Sequence, residues 1–121
     1  MMGSGKSSLE RILKALMNLG LSQRETEIYI YLATKGPQEA GNIAENLRLN
    51  RQQLGFSLES LQNRKIVILT LEYSAKFSAL PFEKTMALLM KAKIEEAQNI
   101  EQNKEEILSE WHSMIRENSA K

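Results

Sequence analysis

Residues 36–67 read GPQEAGNIAENLRLNRQQLGFSLESLQNRKIV: two short amphipathic helices separated by a tight turn, then the start of a β-strand. Ile43, Ala44 and Leu47 mark the buried side of the first helix, and Leu54, Leu58 and Leu61 fall at i, i+4 and i+7 on the second. Arg48-Leu49-Asn50 between them is too short for anything but a sharp reversal. Asn50 is a good N-cap for the second helix, and Gln53 at the N3 position completes a capping-box-like pair. This layout is a helix-turn-helix, in which the second helix is held out to enter a DNA major groove.

Upstream, Ser8 to Asn18 forms a first amphipathic helix with Leu9, Ile12, Leu13, Leu16 and Met17 on one face, and Gly20 ends it. Ser22 opens a second helix with a capping box to Glu25, and Ile28, Tyr29, Tyr31 and Leu32 make this helix apolar enough for the centre of a small core. Gly36-Pro37 terminates it. Residues 1–7, MMGSGKS, are expected as a flexible tail. Gly5-Lys6-Ser7 echoes a phosphate-binding loop, but such a loop needs another glycine five residues before Gly5 and a strand leading in, and neither exists here.

Downstream, Ile66 to Leu71 (IVILTL) is rich in β-branched residues, and a turn at Glu72 to Ala75 returns the chain through Lys76 to Leu80. A β-hairpin beside a helix-turn-helix makes residues 8–81 a winged helix: mainly α with a small β-hairpin. From Phe82 to about Asn118 there is no Gly or Pro. Met86, Met90, Lys93, Ala97, Ile100, Lys104, Ile107, Trp111 and Met114 alternate in spacings of four and three, the seam of a coiled coil. One helix over 82–118 would be roughly 50 Å long at ~1.5 Å per residue, too long for this domain to cover, so a second copy is the natural partner. The expected homodimer interface is Met86, Met90, Ala97, Ile100, Ile107, Trp111 and Met114.

Composition narrows the function class. The chain has 121 residues and no cysteine, which excludes a disulfide framework, a thiolate zinc site and a thiol nucleophile. His112 is the only histidine, and Glu105 and Glu106 near it read as charged helix surface rather than as metal ligands. No enzyme activity and no cofactor are expected. No apolar run approaches the ~18 residues that span a bilayer, and the Gly/Ser-rich start is unlike a signal peptide, so the expectation is a soluble cytoplasmic protein without membrane partners. Charge is uneven: Arg48 to Lys76 carries five bases against two acids, net +3, whereas Pro81 onward carries six bases against eight acids, net −2. A mild basic patch confined to the helix-turn-helix fits a DNA binder.

LGLSQRETEIYIYLATKGPQEAGNIAE and, after the hairpin, KFSALPFEKTMALLMKAK together resemble the N-terminal winged-helix domain of the archaeal TrmB-like transcriptional regulators. The likeness runs from about Leu16 into the long helix. It rests on the helix start after Leu-Gly-Leu, the Tyr-containing second helix, Gly-Pro before Ile-Ala-Glu, and an aromatic–x–Ala–x–Pro end to the wing. Many members continue into an effector-binding, often sugar-binding, domain; with the chain ending at Lys121, sugar sensing is not expected. Gly55 stands where family recognition helices often carry a large residue, and the wing tip, Glu72-Tyr73-Ser74-Ala75, lacks the glycines and arginines that suit phosphate contact.

These readings converge on a sequence-specific, homodimeric regulator binding double-stranded DNA. Arg51, Gln52, Gln53, Phe56 and Ser57 are the candidate base contacts: Arg suits guanine O6 and N7, Gln suits adenine N6 and N7, and Phe56 either meets a thymine methyl or packs under the wing. Arg48, Arg64, Lys65 and Lys76 are the candidate phosphate contacts. Gly55 is expected to let two helices cross tightly, the alternative being close approach of a DNA backbone. The competing function is a winged helix used for protein contact in a transcription or replication assembly, which the thin basic charge and acidic wing tip favour.

Overall fold

Helix α1 spans Ser4–Asn18 and α2 spans Gln23–Lys35, joined by a turn in which Gly20 takes a φ of 114°. The structure is a computed structural model and describes residues 4–119. It therefore begins α1 four residues before the expected Ser8; Met1 to Gly3 of the expected tail lie outside the described residues. Both halves of the capping box at the start of α2 are made. The Glu25 N–H donates to Ser22 Oγ at 3.0 Å, and the Ser22 N–H donates to Glu25 Oε1 at 2.8 Å. Gly36 ends α2 with a φ of 86°, and its N–H donates to the Leu32 carbonyl at 2.9 Å.

Helices α3 (Ala40–Leu47) and α4 (Arg51–Asn63) follow, then strands β1 (Val67–Thr70) and β2 (Lys76–Ala79). The strands pair antiparallel, with Val67 opposite Ala79 and Thr70 opposite Lys76. A further backbone link is absent from the sequence reading. The Gln38 N–H donates to the Phe77 carbonyl at 3.0 Å and the Phe77 N–H to the Gln38 carbonyl at 2.8 Å, so the α2–α3 loop is bridged to the hairpin. The core gathers Leu16 and Leu21, then Ile28, Tyr29 and Leu32 of α2, Ile43 of α3, Leu54, Leu58 and Leu61 of α4, and Ile66, Val67 and Leu89. Each such side chain, fully buried, stabilises the fold by about 1.5–3 kcal/mol. Tyr31, expected with this set, is only half-buried at its margin.

Two compact units divide between Leu89 and Met90. Helix α5, Phe82–Gln102, crosses that boundary. Its first two turns belong to the winged unit, where Thr85 and Leu89 are buried and Met86 packs half-buried against the core. The Tyr29 hydroxyl donates to the Leu80 carbonyl at 2.7 Å, pinning the end of the hairpin to α2 just before α5 starts. Burial lifts the Tyr29 phenol above its ordinary range.

The second unit corrects the expectation of one unbroken helix over 82–118: α5 stops at Gln102 and α6 runs Lys104–Ser119. The break is local. Asn103 Nδ2 donates to the Asn99 carbonyl at 2.8 Å, and its backbone N–H is shared between the carbonyls of Asn99 (3.1 Å) and Ile100 (3.2 Å). The Ile107 N–H still donates to the Asn103 carbonyl at 3.0 Å, so backbone bonds span the junction and the interruption is confined to Asn103. Met90, Ala97, Ile100, Ile107, Trp111 and Met114 are exposed in this unit. So are Ile94, Leu108 and Ile115, which lie beside the four–three seam and broaden the apolar face beyond it. Among the described residues, no helix is long and apolar enough to cross a membrane.

Candidate nucleic-acid interface

The reversal between α3 and α4 is made by Arg48, which takes a left-handed conformation (φ 57°, ψ 50°) and donates its N–H to the Ala44 carbonyl. The Leu49 N–H reaches the same carbonyl at 2.9 Å, and the Leu49 side chain packs against the core, anchoring the turn. Asn50 then caps α4 as expected. The Gln53 N–H donates to Asn50 Oδ1 at 2.8 Å, and the Asn50 N–H donates to Gln53 Oε1 at 3.0 Å. No acidic residue occupies the first turn of α4, so its free N–H groups and the positive end of its dipole are not neutralised.

At about 100° per residue, Leu54, Leu58 and Leu61 point one way, and Gln52, Gly55, Phe56 and Glu59 lie on the opposite arc. Burial agrees: the three leucines are buried, and those four residues are exposed, Phe56 at 67%. Of the expected base contacts, Arg51, Gln52 and Phe56 therefore sit on accessible surface. Phe56 does not pack under the wing.

Ser57 is a correction. It is only 7% exposed, because its place on the helix falls between Gln53 and Leu61, on the core side. Gln53 is half-buried, and its Oε1 is committed to the cap. Two-point pairing with adenine uses both the carbonyl and the amide of Gln, whereas the cap engages the Gln53 carbonyl and leaves its amide without a bond among the described residues.

Gly55 is a second correction. A Cβ built on it meets nothing within 4 Å. No helix crosses there, and the glycine opens a gap on the outward face between Arg51 and Glu59. Glu59, absent from the sequence-based candidates, is exposed near the middle of that face, within about 20° of Gln52 around the helix. Counting turns onward from Gln52 would have found it.

The expected phosphate contacts Arg48, Arg64, Lys65 and Lys76 are all exposed. Lys65 takes a φ of 67° in the turn that leads into β1. Arg64 differs: its Nη2 donates to the Gly20 carbonyl at 3.1 Å, tying the end of α4 to the α1–α2 turn. The wing is apolar rather than basic. Ile68 and Leu69 are exposed on β1, Leu71 is 72% exposed, and Tyr73 at the tip is 99% exposed.

The family model described as sugar-specific transcriptional regulator TrmB matches residues 7–83. Among solved structures, the chain is similar to a MarR-like transcriptional regulator from Thermotoga maritima, at 14% identity and a TM-score of 0.49, with 100% of this chain and 99% of that one covered. No curated protein matches it.

Proposed function

The chain belongs to the TrmB family of transcriptional regulators, and on that footing we propose that it binds double-stranded DNA in a sequence-specific manner, with α4 in the major groove. The observation that carries this reading is the two-sided character of α4. Leu54, Leu58 and Leu61 bury one side in the core, while Arg51, Gln52, Phe56 and Glu59 are left exposed on a helix whose start is locked by a reciprocal cap. Arg51 and Gln52 are the base readers with free polar atoms. Arg48, Lys65 and Lys76 flank the face and hold phosphates. Two copies join through the exposed apolar face of the second unit, centred on Ile100, Ile107, Trp111 and Met114, and the protein acts in the cytoplasm. A two-fold pair reads a pseudo-palindrome with half-sites about one helical turn, ~34 Å, apart.

Selection of bound duplexes from a random pool, followed by anisotropy titration at several salt concentrations, tests this. The reading expects a symmetric consensus and tighter binding to it than to random DNA. Equal binding to both at moderate salt would overturn it. The exposed apolar wing supports a second reading, a protein-contact module, since Leu71 and Tyr73 suit a partner's apolar surface better than a phosphate.

A further inference from the structure

Glu59 has no structural reason for its place. It lies in the ninth position of the 13-residue α4, well past the first turn where a carboxylate would favour the helix dipole. Its helical neighbours at three and four residues are Gly55, Phe56, Gln62 and Asn63, none of them a cation. Among the described residues the only ion pair is Lys93 with Glu96, at 3.6 Å. Glu59 is exposed, unpaired and central on the outward arc of α4, in a surface whose other exposed charges include Arg48, Arg51, Arg64, Lys65 and Lys76, with Glu72 out at the wing tip.

A carboxylate so placed weakens attraction to any polyanion unless it meets a hydrogen-bond donor. On the floor of the major groove the donors are the amino groups of cytosine and adenine, whereas guanine and thymine present acceptors. An ionised carboxylate only accepts. Adenine sets its N7 acceptor beside the amino group and so repels the second carboxylate oxygen, whereas cytosine offers the amino group alone. The empty space at Gly55, one turn before Glu59, lets the groove floor come close to this part of the helix.

Resting on the DNA-reading function above, we infer that Glu59 is a specificity-determining residue that accepts a hydrogen bond from a cytosine N4 amino group, selecting cytosine at one position of each half-site. Phe56, three residues earlier on the same arc, lies against the neighbouring base and favours a thymine methyl there.

Pool selection with the full chain and with Glu59→Gln and Glu59→Ala tests this. Both changes lie on exposed surface, and matching thermal midpoints confirm that the variants fold. The wild type selects cytosine at one position per half-site. Glu59→Gln moves that position to adenine by about ten-fold and leaves the others unchanged. Glu59→Ala levels that position and binds random duplex more tightly. If all three proteins select the same bases, with the variants merely binding every duplex better, Glu59 is a repulsive bystander and the inference is wrong. If the wild type selects nothing, the DNA-reading function itself falls, and this inference with it.

Discussion

Replacing Gly55 with alanine sets stability against DNA binding at a single position. Gly55 lies inside α4 and is not among the residues with positive φ, so alanine adopts its backbone without strain. Beyond its chain neighbours and the helix's own backbone, the new methyl group meets no described atom within 4 Å. Glycine in a helix interior costs roughly 1 kcal/mol relative to alanine, largely through the entropy of the unfolded chain. The variant is therefore more stable by ~0.5–1 kcal/mol, and a domain of this size then melts ~2–8 °C higher. If the face meets DNA, the same methyl group protrudes into the contact, and overpacking of that kind costs about 1 kcal/mol or more. That loss corresponds to roughly five-fold weaker binding. Circular dichroism melts and anisotropy with the selected duplex read the two effects separately. A lower melting temperature would show that the gap is filled in the folded protein. A higher one with undiminished affinity would show that this face of α4 points away from the DNA.

Arg64 and Lys65 are adjacent bases with different expected roles. Lys65→Ala should weaken binding to all sequences and reduce the salt slope by about one. Arg64→Ala should leave that slope unchanged and lower unfolding stability by ~0.5–1.5 kcal/mol, through loss of its bond to the Gly20 carbonyl. Tyr29→Phe removes the 2.7 Å bond to the Leu80 carbonyl and should cost ~1–3 kcal/mol in urea unfolding. Since burial raises the Tyr29 pKa on folding, the folded state holds that proton at pH values where the unfolded chain has released it. This contribution is complete below about pH 10 and is lost as pH rises further, so the variant should show a shallower alkaline fall. Trp111→Glu should shift sedimentation from dimer to monomer while leaving the winged unit's melt unchanged, because Trp111 is exposed in the single chain. A melt that fell with it would place Trp111 inside a fold rather than at a junction between copies.

What the sequence made legible is what short-range chemistry decides. Ser22 with Glu25 and Asn50 with Gln53 are three residues apart, and each cap forms as its residue types require. The leucines of α4 repeat with the helix and find the core. Ser57 follows exposed residues along the chain, but its angle around the helix sets it beside Leu61 on the core side, and that angle decides its burial. Gly55 was ambiguous because a glycine looks the same in sequence whether a neighbouring helix or open space lies over it. Asn103 sits in a stretch without Gly or Pro, so no residue type there announces the one-residue turn between α5 and α6. The Gln38–Phe77 link joins residues far apart in the chain through backbone atoms, and no side-chain pattern announces it.

That link also decides which strand faces outward. With Phe77 held by Gln38 on one flank and by the β1 ladder on the other, β2 is the middle rung of a three-rung ribbon, and β1 becomes its rim. The rim bears Ile68 and Leu69, both exposed, beside backbone groups that no described residue pairs. Oily rims of this kind recruit stray chains when they are long, and brevity is one of the ways proteins keep them inert. At four residues, β1 leaves such a chain little to zip onto, and a lengthened version would be expected to clump.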